Sequence, residues 1–223
     1  MEYIYTDNPI EMAAKATAKE LTKHIENNEK VLWLLSGGSS IQIAVSASKM
    51  LAGLDLSKLF VSLTDERYGG VGHESENWQQ LVDGGLSLPG ANLYRPLIGE
   101  SVEKTVLEFN NWLDINMKNS DYRLGIFGIG TDGHTAGIKP NSTATRSSEL
   151  VSSFKGDDFE RVTISFNAIK KLDEAIIQVS GKDKKAVLGE VINHSKPITD
   201  QPAQILKQVP NATIYSNNHE EEL

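Results

Sequence analysis

The sequence predicts an α/β domain, a Rossmann-like three-layer arrangement in which a mainly parallel sheet is flanked by helices. Two patterns predict it. Short, continuous apolar runs mark strands buried on both faces, and stretches of helical spacing alternate with them along the chain. The third observation is size. At 223 residues, with 39% hydrophobic and 23% charged side chains, the chain suits one soluble globular domain over residues 1–223.

The first helix is expected from Asn8, with Pro9 in its first turn, Glu11 in the capping-box position and apolar residues at Ile10, Ala14, Leu21 and Ile25. Val31-Leu32-Trp33-Leu34-Leu35 reads as a buried strand closed by Ser36-Gly37-Gly38, and a helical pattern runs from Ile41 to Leu51. Leu59 to Leu63 reads as a strand, Asn77 to Val82 as a short helix, and Val102 to Met117 as a longer one. Leu124 to Phe127 is a strand entering a glycine-rich turn. Further strands are expected at Arg161–Phe166, Ala175–Ser180 and Ala212–Tyr215, with a helix from Lys184 to Asn193. Residues 217–223 read as a solvated, flexible tail.

Composition excludes several function classes. The chain has no cysteine, which removes disulfides, a thiol nucleophile and thiolate metal sites. No His-Glu-x-x-His spacing or paired carboxylates suggest a metal, and no Gly-x-Ser-x-Gly suggests an α/β-hydrolase serine. No apolar run approaches the roughly 18 residues of a membrane span, and the N-terminus lacks a signal-peptide pattern, so a cytoplasmic protein with no membrane partner is expected. With 30 acidic against 22 basic residues, a net charge of −8, nucleic acid is not an expected partner.

In open α/β sheets, ligands sit beyond the C-terminal ends of the strands. Three segments occupy such places. Ser36-Gly37-Gly38-Ser39-Ser40 joins a strand to a helix, where close backbone approach and a helix N-terminus suit a phosphate; a tight turn with a capping serine explains it equally. Thr64-Asp65-Glu66-Arg67 follows a strand and is either a functional cluster or a surface ion network. Gly128-Ile129-Gly130-Thr131-Asp132-Gly133-His134-Thr135 matches the spacing of a dinucleotide fingerprint. Pro140 nevertheless forbids the long helix that fingerprint needs, leaving a turn that presents an Asp and a His together. Histidine is the side chain most readily poised as a base near neutral pH. His24, His194 and His219 lie in helical patterns or the tail, and His73 is a weaker candidate.

Taken in order, these segments resemble the 6-phosphogluconolactonase family, within the glucosamine/galactosamine-6-phosphate isomerase-like superfamily. Two later pieces fit as well, Arg161-Val162-Thr163 and Gly181-Lys182-Asp183-Lys184. The resemblance implies a hydrolase that opens 6-phospho-D-glucono-1,5-lactone to 6-phospho-D-gluconate in the oxidative pentose phosphate pathway, as a monomer or homodimer, with no cofactor or metal. It implies His134 as the base that activates water and Asp132 as its support, with Asp65 and Arg67 completing the catalytic group. The Arg67 guanidinium or the amides of the Gly128–Gly133 turn would stabilise the developing oxyanion. Gly37, Gly38, Ser39, Asn77, Gly130, Gly133, Arg161 and Lys184 would bind the sugar phosphate. The chain departs from the family pattern at Gly137-Ile138-Lys139, at Tyr68-Gly69-Gly70 and at Ile41. The related glucosamine-6-phosphate deaminase/isomerases carry a Glu soon after the histidine, which is absent before Lys139-Pro140. That isomerase and a non-catalytic sugar-phosphate sensor are the alternatives.

Overall fold

The computed structural model describes residues 1–219. In chain order its elements are β1 (Glu2–Tyr5), α1 (Pro9–Glu26), β2 (Val31–Leu35), α2 (Ile41–Met50), β3 (Leu59–Leu63), β4 (Asp65–Arg67), α3 (Asn77–Asp83), β5 (Asn92–Leu93), α4 (Val102–Asn119), β6 (Tyr122–Gly128), β7 (Val151–Lys155), β8 (Glu160–Ile164), α5 (Phe166–Ile169), β9 (Glu174–Val179), α6 (Lys185–Asn193) and β10 (Asn211–Ser216). Among the described residues, seven strands form one sheet in the order β1-β10-β9-β6-β2-β3-β5. Every pairing in it is parallel.

Strand β2 explains why the sheet is covered on both faces. All five of its residues are buried, and alternate side chains point to opposite sides. Leu32 and Leu34 join a core with Phe109 and Leu113 of α4 and Leu188 of α6. Val31, Trp33 and Leu35 join the other core, with Leu21 of α1 and Ile43 of α2. Each large aliphatic chain so buried contributes about 1.5–3 kcal/mol. The three-layer α/β architecture expected from the sequence is therefore present.

The local expectations fare unevenly. Helix α1 starts where predicted, with Pro9 in its first turn, yet Asn8 makes no side-chain cap. Glu11 pairs instead with Lys15, 2.6 Å away along the helix surface, so no capping box forms. The segment Asp65–Arg67 is a strand rather than a loop. It pairs antiparallel with β8, and β8 with β7, in a separate three-stranded sheet. The strand predicted at Arg161–Phe166 thus belongs to this second sheet, and it ends early because Ser165 caps α5 through the amides of Asn167 and Ala168. Thr64 is the junction. Its amide donates to Leu35 of the main sheet, and its carbonyl accepts from Ile164 of the second.

Of Asn217–His219, read as the start of a solvated tail, Asn217 and His219 are exposed and Asn218 is packed against the body. Asn218 is buried, its carbonyl accepts from the Tyr3 hydroxyl, and His219 stacks on Tyr5. Residues 220–223 of that predicted tail lie outside the described residues. Among the described residues, no helix is long and apolar enough to cross a membrane.

Candidate active site

The strand order places the site. From β2 the chain moves to β3 on one side and later returns to add β6 on the other, so the crevice between β2 and β6 is a topological switch point. The loops after β2 and β6 flank it, with the ends of β3 and β9 on either side. A cavity of about 340 Å³ opens there, lined by residues from all four strand ends.

The loop after β2 is shaped by its glycines. Gly38 adopts φ +60, and Gly37 lies so close to Asn77 that a Cβ would overlap the Asn77 amide. Ser39 donates its hydroxyl to Gln178 Oε1 at 3.3 Å. The Asn77 side chain is buried; its Nδ2 donates to the Asp65 carbonyl, while its Oδ1 packs against Gly37 with no hydrogen-bond partner.

After β3, Asp65 and Arg67 line the cavity and Glu66 points away from it. Asp65 is buried, and burial pushes its carboxyl above the usual range even against the nearby Arg67 guanidinium and the hydroxyl of Thr64. Glu66 is fully buried and accepts amide hydrogens from Arg67, Asn77 and Trp78 at 2.7, 2.7 and 3.0 Å. It thereby fixes the start of α3, and with it Asn77. Arg67 donates to the Ser75 carbonyl at 3.1 Å, which ties it to the loop before α3. That loop is held in turn by Glu76, whose buried carboxylate forms two 2.6 Å bonds with Arg95. His73 turns its Nε2 to the Arg67 carbonyl and braces the same loop.

After β6, the glycine turn presents His134. Its Nδ1 lies 2.5 Å from Asp132 Oδ1, and the same oxygen accepts the His134 amide at 3.1 Å. The imidazole beside it holds the Asp132 carboxyl down at about 2. A Nδ1 that donates to an ionised carboxylate leaves the acceptor lone pair on Nε2. Gly133 adopts φ +82 and Gly130 carries the ring directly on its Cα. Two of the turn's amides are engaged within it: Gly130 donates to the His134 carbonyl and Gly133 to the Gly130 carbonyl. Both oxyanion donors expected, the Arg67 guanidinium and the turn from Gly128 through Thr131, line the cavity. No helix follows Gly133; a bridge between Thr135 and Ile138 does, in keeping with the rejection of a dinucleotide fingerprint.

The cavity brings together Gly37, Gly38, Ser39, Asp65, Arg67, Asn77, Gly130, His134 and Lys184. Lys184 ends a 3-10 turn one residue before α6 begins, not inside the helix. Asp132 and Gly133 stand behind His134 rather than in the lining. Arg161 is nine-tenths buried in β8 and holds Asp158 through Nη1 and Nη2, both at 2.7 Å. Sequence reasoning missed Glu66 as the α3 anchor, the Glu76–Arg95 pair and Asp158, because an acid in a polar loop reads like any solvated charge. The remaining histidines are elsewhere: His24 stacks on Tyr122, and His194 follows the end of α6. Among the described residues, no cluster of three or more metal-ligating side chains occurs.

A family model described as glucosamine-6-phosphate isomerases/6-phosphogluconolactonase matches residues 6–215. A 6-phosphogluconolactonase of Helicobacter pylori is 28% identical over 203 residues, covering 87% of each chain. One from Synechocystis is 26% identical over 212 residues, covering 89% of this chain and 86% of the relative. Among solved structures, a 6-phosphogluconolactonase of Thermotoga maritima superposes with a TM-score of 0.83 at 20% identity, covering 96% of this chain and 98% of that one. That last likeness is one of fold.

Proposed function

The chain belongs to the glucosamine-6-phosphate isomerase/6-phosphogluconolactonase family, and from that premise we infer that it hydrolyses 6-phospho-D-glucono-1,5-lactone to 6-phospho-D-gluconate. The observation that carries the reading is the Asp132–His134 pair on a rigid turn at the switch-point cavity. Nε2 of His134 accepts a proton from water as that water attacks the lactone C1. The imidazolium so formed is stabilised by Asp132, which is already ionised. Asp132 is a positioning residue here, since it acts through the ring.

As C1 becomes tetrahedral, its oxygen gains charge. The Arg67 guanidinium, held on the Ser75 carbonyl with donors left over, is the group placed to receive it. The collapse that follows expels the ring oxygen, which takes up the proton from His134 and becomes the C5 hydroxyl. Asp65 and Asn77, both in the cavity lining, bind sugar hydroxyls. The Gly37-Gly38-Ser39 loop and Lys184 hold the phosphate, together with Arg161 once its guanidinium is released. Anchoring that remote group aligns C1 with the water.

The absence of an acid between His134 and Pro140 supports lactone hydrolysis over amino-sugar isomerisation. Turnover of freshly generated lactone above its spontaneous opening tests the reading. Ammonia release from glucosamine 6-phosphate, with no lactone turnover, would replace it by the isomerase.

A further inference from the structure

The turn between β7 and β8 carries two side chains that grip both arginines of the site. Phe159 lies under the two guanidinium groups, with its ring centre 5.4 Å from Cζ of Arg67 and 5.7 Å from Cζ of Arg161. Asp158 takes both terminal nitrogens of Arg161 at 2.7 Å. Its Oδ1 also lies 3.4 Å from Nζ of Lys139, on the loop that carries His134. One carboxylate thus sits where two cations converge, and Arg161 holds it well below the usual carboxylate range. Arg161 faces Arg67 directly across the β4–β8 ladder, so both side chains leave the same face of the second sheet. The fields of Asp65 and Asp132, both in the catalytic group, reach Arg161 as well.

We propose that Asp158 is a resident anion of the phosphate subsite, occupying the donors of Arg161 and Lys139 until a substrate phosphate displaces it. The proposal rests on the reading of Arg161 as a phosphate ligand. Two features make Asp158 displaceable. Its side chain is 46% exposed against 10% for Arg161, so water can take up the carboxylate as it leaves. A phosphate dianion, moreover, brings twice the charge to two cations that one carboxylate leaves half neutralised. A neutral sugar lactone offers nothing to exchange for Asp158. The carboxylate therefore sets a charge threshold, and the site selects phosphorylated over unphosphorylated lactones. Released Asp158 moves with the β7–β8 turn into solvent.

The probe is inorganic phosphate, titrated into the whole protein by calorimetry, so the readout does not depend on turnover. Asp158→Asn keeps the acceptor for the Phe159 amide but removes the charge. It should bind phosphate about fivefold more tightly than wild type, the gain expected when the Arg161 donors no longer have to leave a half-exposed charged partner. Arg161→Ala should weaken phosphate binding and should abolish that gain in the double variant. Unchanged or weaker phosphate binding by Asp158→Asn, with Arg161→Ala still weakening it, overturns the resident-anion proposal and leaves the arginine ligand standing. If Arg161→Ala changes phosphate affinity in neither background, the arginine reading fails and the proposal falls with it. Thermal unfolding of each variant, matching wild type, certifies that the fold is retained.

Discussion

The imidazole of His134 rests directly on the Cα of Gly130, so closely that a Cβ at position 130 would overlap both Cε1 and Nδ1. The glycine is required by the ring, since Gly130 itself is absent from the positive-φ residues. Gly130→Ala should therefore push the ring off its Asp132 partner. A positioned base contributes about 10²–10⁴-fold, so kcat should fall by at least ~10²-fold while the thermal midpoint stays close to wild type. A variant with wild-type kcat would show that the ring position is not needed.

Asp132→Asn keeps a hydrogen-bonding side chain but removes the charge that fixes the tautomer. The amide can donate to Nδ1, which would place the proton on Nε2 and cost the base its lone pair. A kcat loss of about 10²-fold or more is expected, with a smaller change in KM. Steady-state kinetics on the lactone check this.

The Asp132 carboxyl also makes a statement about pH. Its value falls from the ordinary 3.8 to about 2 in the fold, so the stability it adds is present above 3.8 and is lost as pH falls through about 2. Asp132 is thus ionised throughout the working range. An acid-side loss of kcat/KM that belongs to this carboxyl should therefore set in only as pH falls toward about 2. If Asp132→Asn removes an acid limb that wild type shows well above pH 2, the carboxyl is not held down by its pairing with His134.

Gly37 and Asn77 are locked together in the same manner as Gly130 and His134. Gly37→Ala should displace the Asn77 amide, removing one hydrogen bond to the sugar and bending the loop expected to hold phosphate. KM should rise by about tenfold, the equivalent of one hydrogen bond, with kcat less affected. An unchanged KM would take Asn77 out of the binding surface.

Glu66 is a stability prediction rather than a catalytic one. Its carboxylate satisfies three buried amides, two of them at the start of α3. Glu66→Ala leaves these donors without partners, at about 1–3 kcal/mol each, so a loss of ~3 kcal/mol or more is expected in urea unfolding. Glu66→Gln should lose less, since one oxygen remains to accept. Equal losses would mean that the one remaining acceptor oxygen and the retained volume of Gln contribute nothing.

What the sequence made legible follows from the physics of each element. Continuous apolar runs such as Val31–Leu35 have one stable place, inside a covered parallel sheet, and helices α1, α2 and α4 show their buried stripes plainly. The second sheet was hidden because two of its three strands, β4 and β7, do not look like strands. Asp65–Arg67 is wholly charged, and Val151–Lys155 buries only Val151 and Phe154, three residues apart and so without alternation. Edge strands β1 and β5 are short and largely exposed, so they carry little pattern. At the site, glycines and a histidine on one turn could be read because few other roles need them. Asp158, Glu76 and Glu66 could not, since their meaning lies in partners 3, 19 and 11 residues away.

The most direct measurement is the rate of lactone opening by wild type and His134→Ala, each corrected for spontaneous hydrolysis in the same buffer. Wild type should accelerate opening well beyond background, and His134→Ala should fall close to it. A wild type that adds nothing to background, or a His134→Ala variant as fast as wild type, would contradict the assignment of His134 as the base.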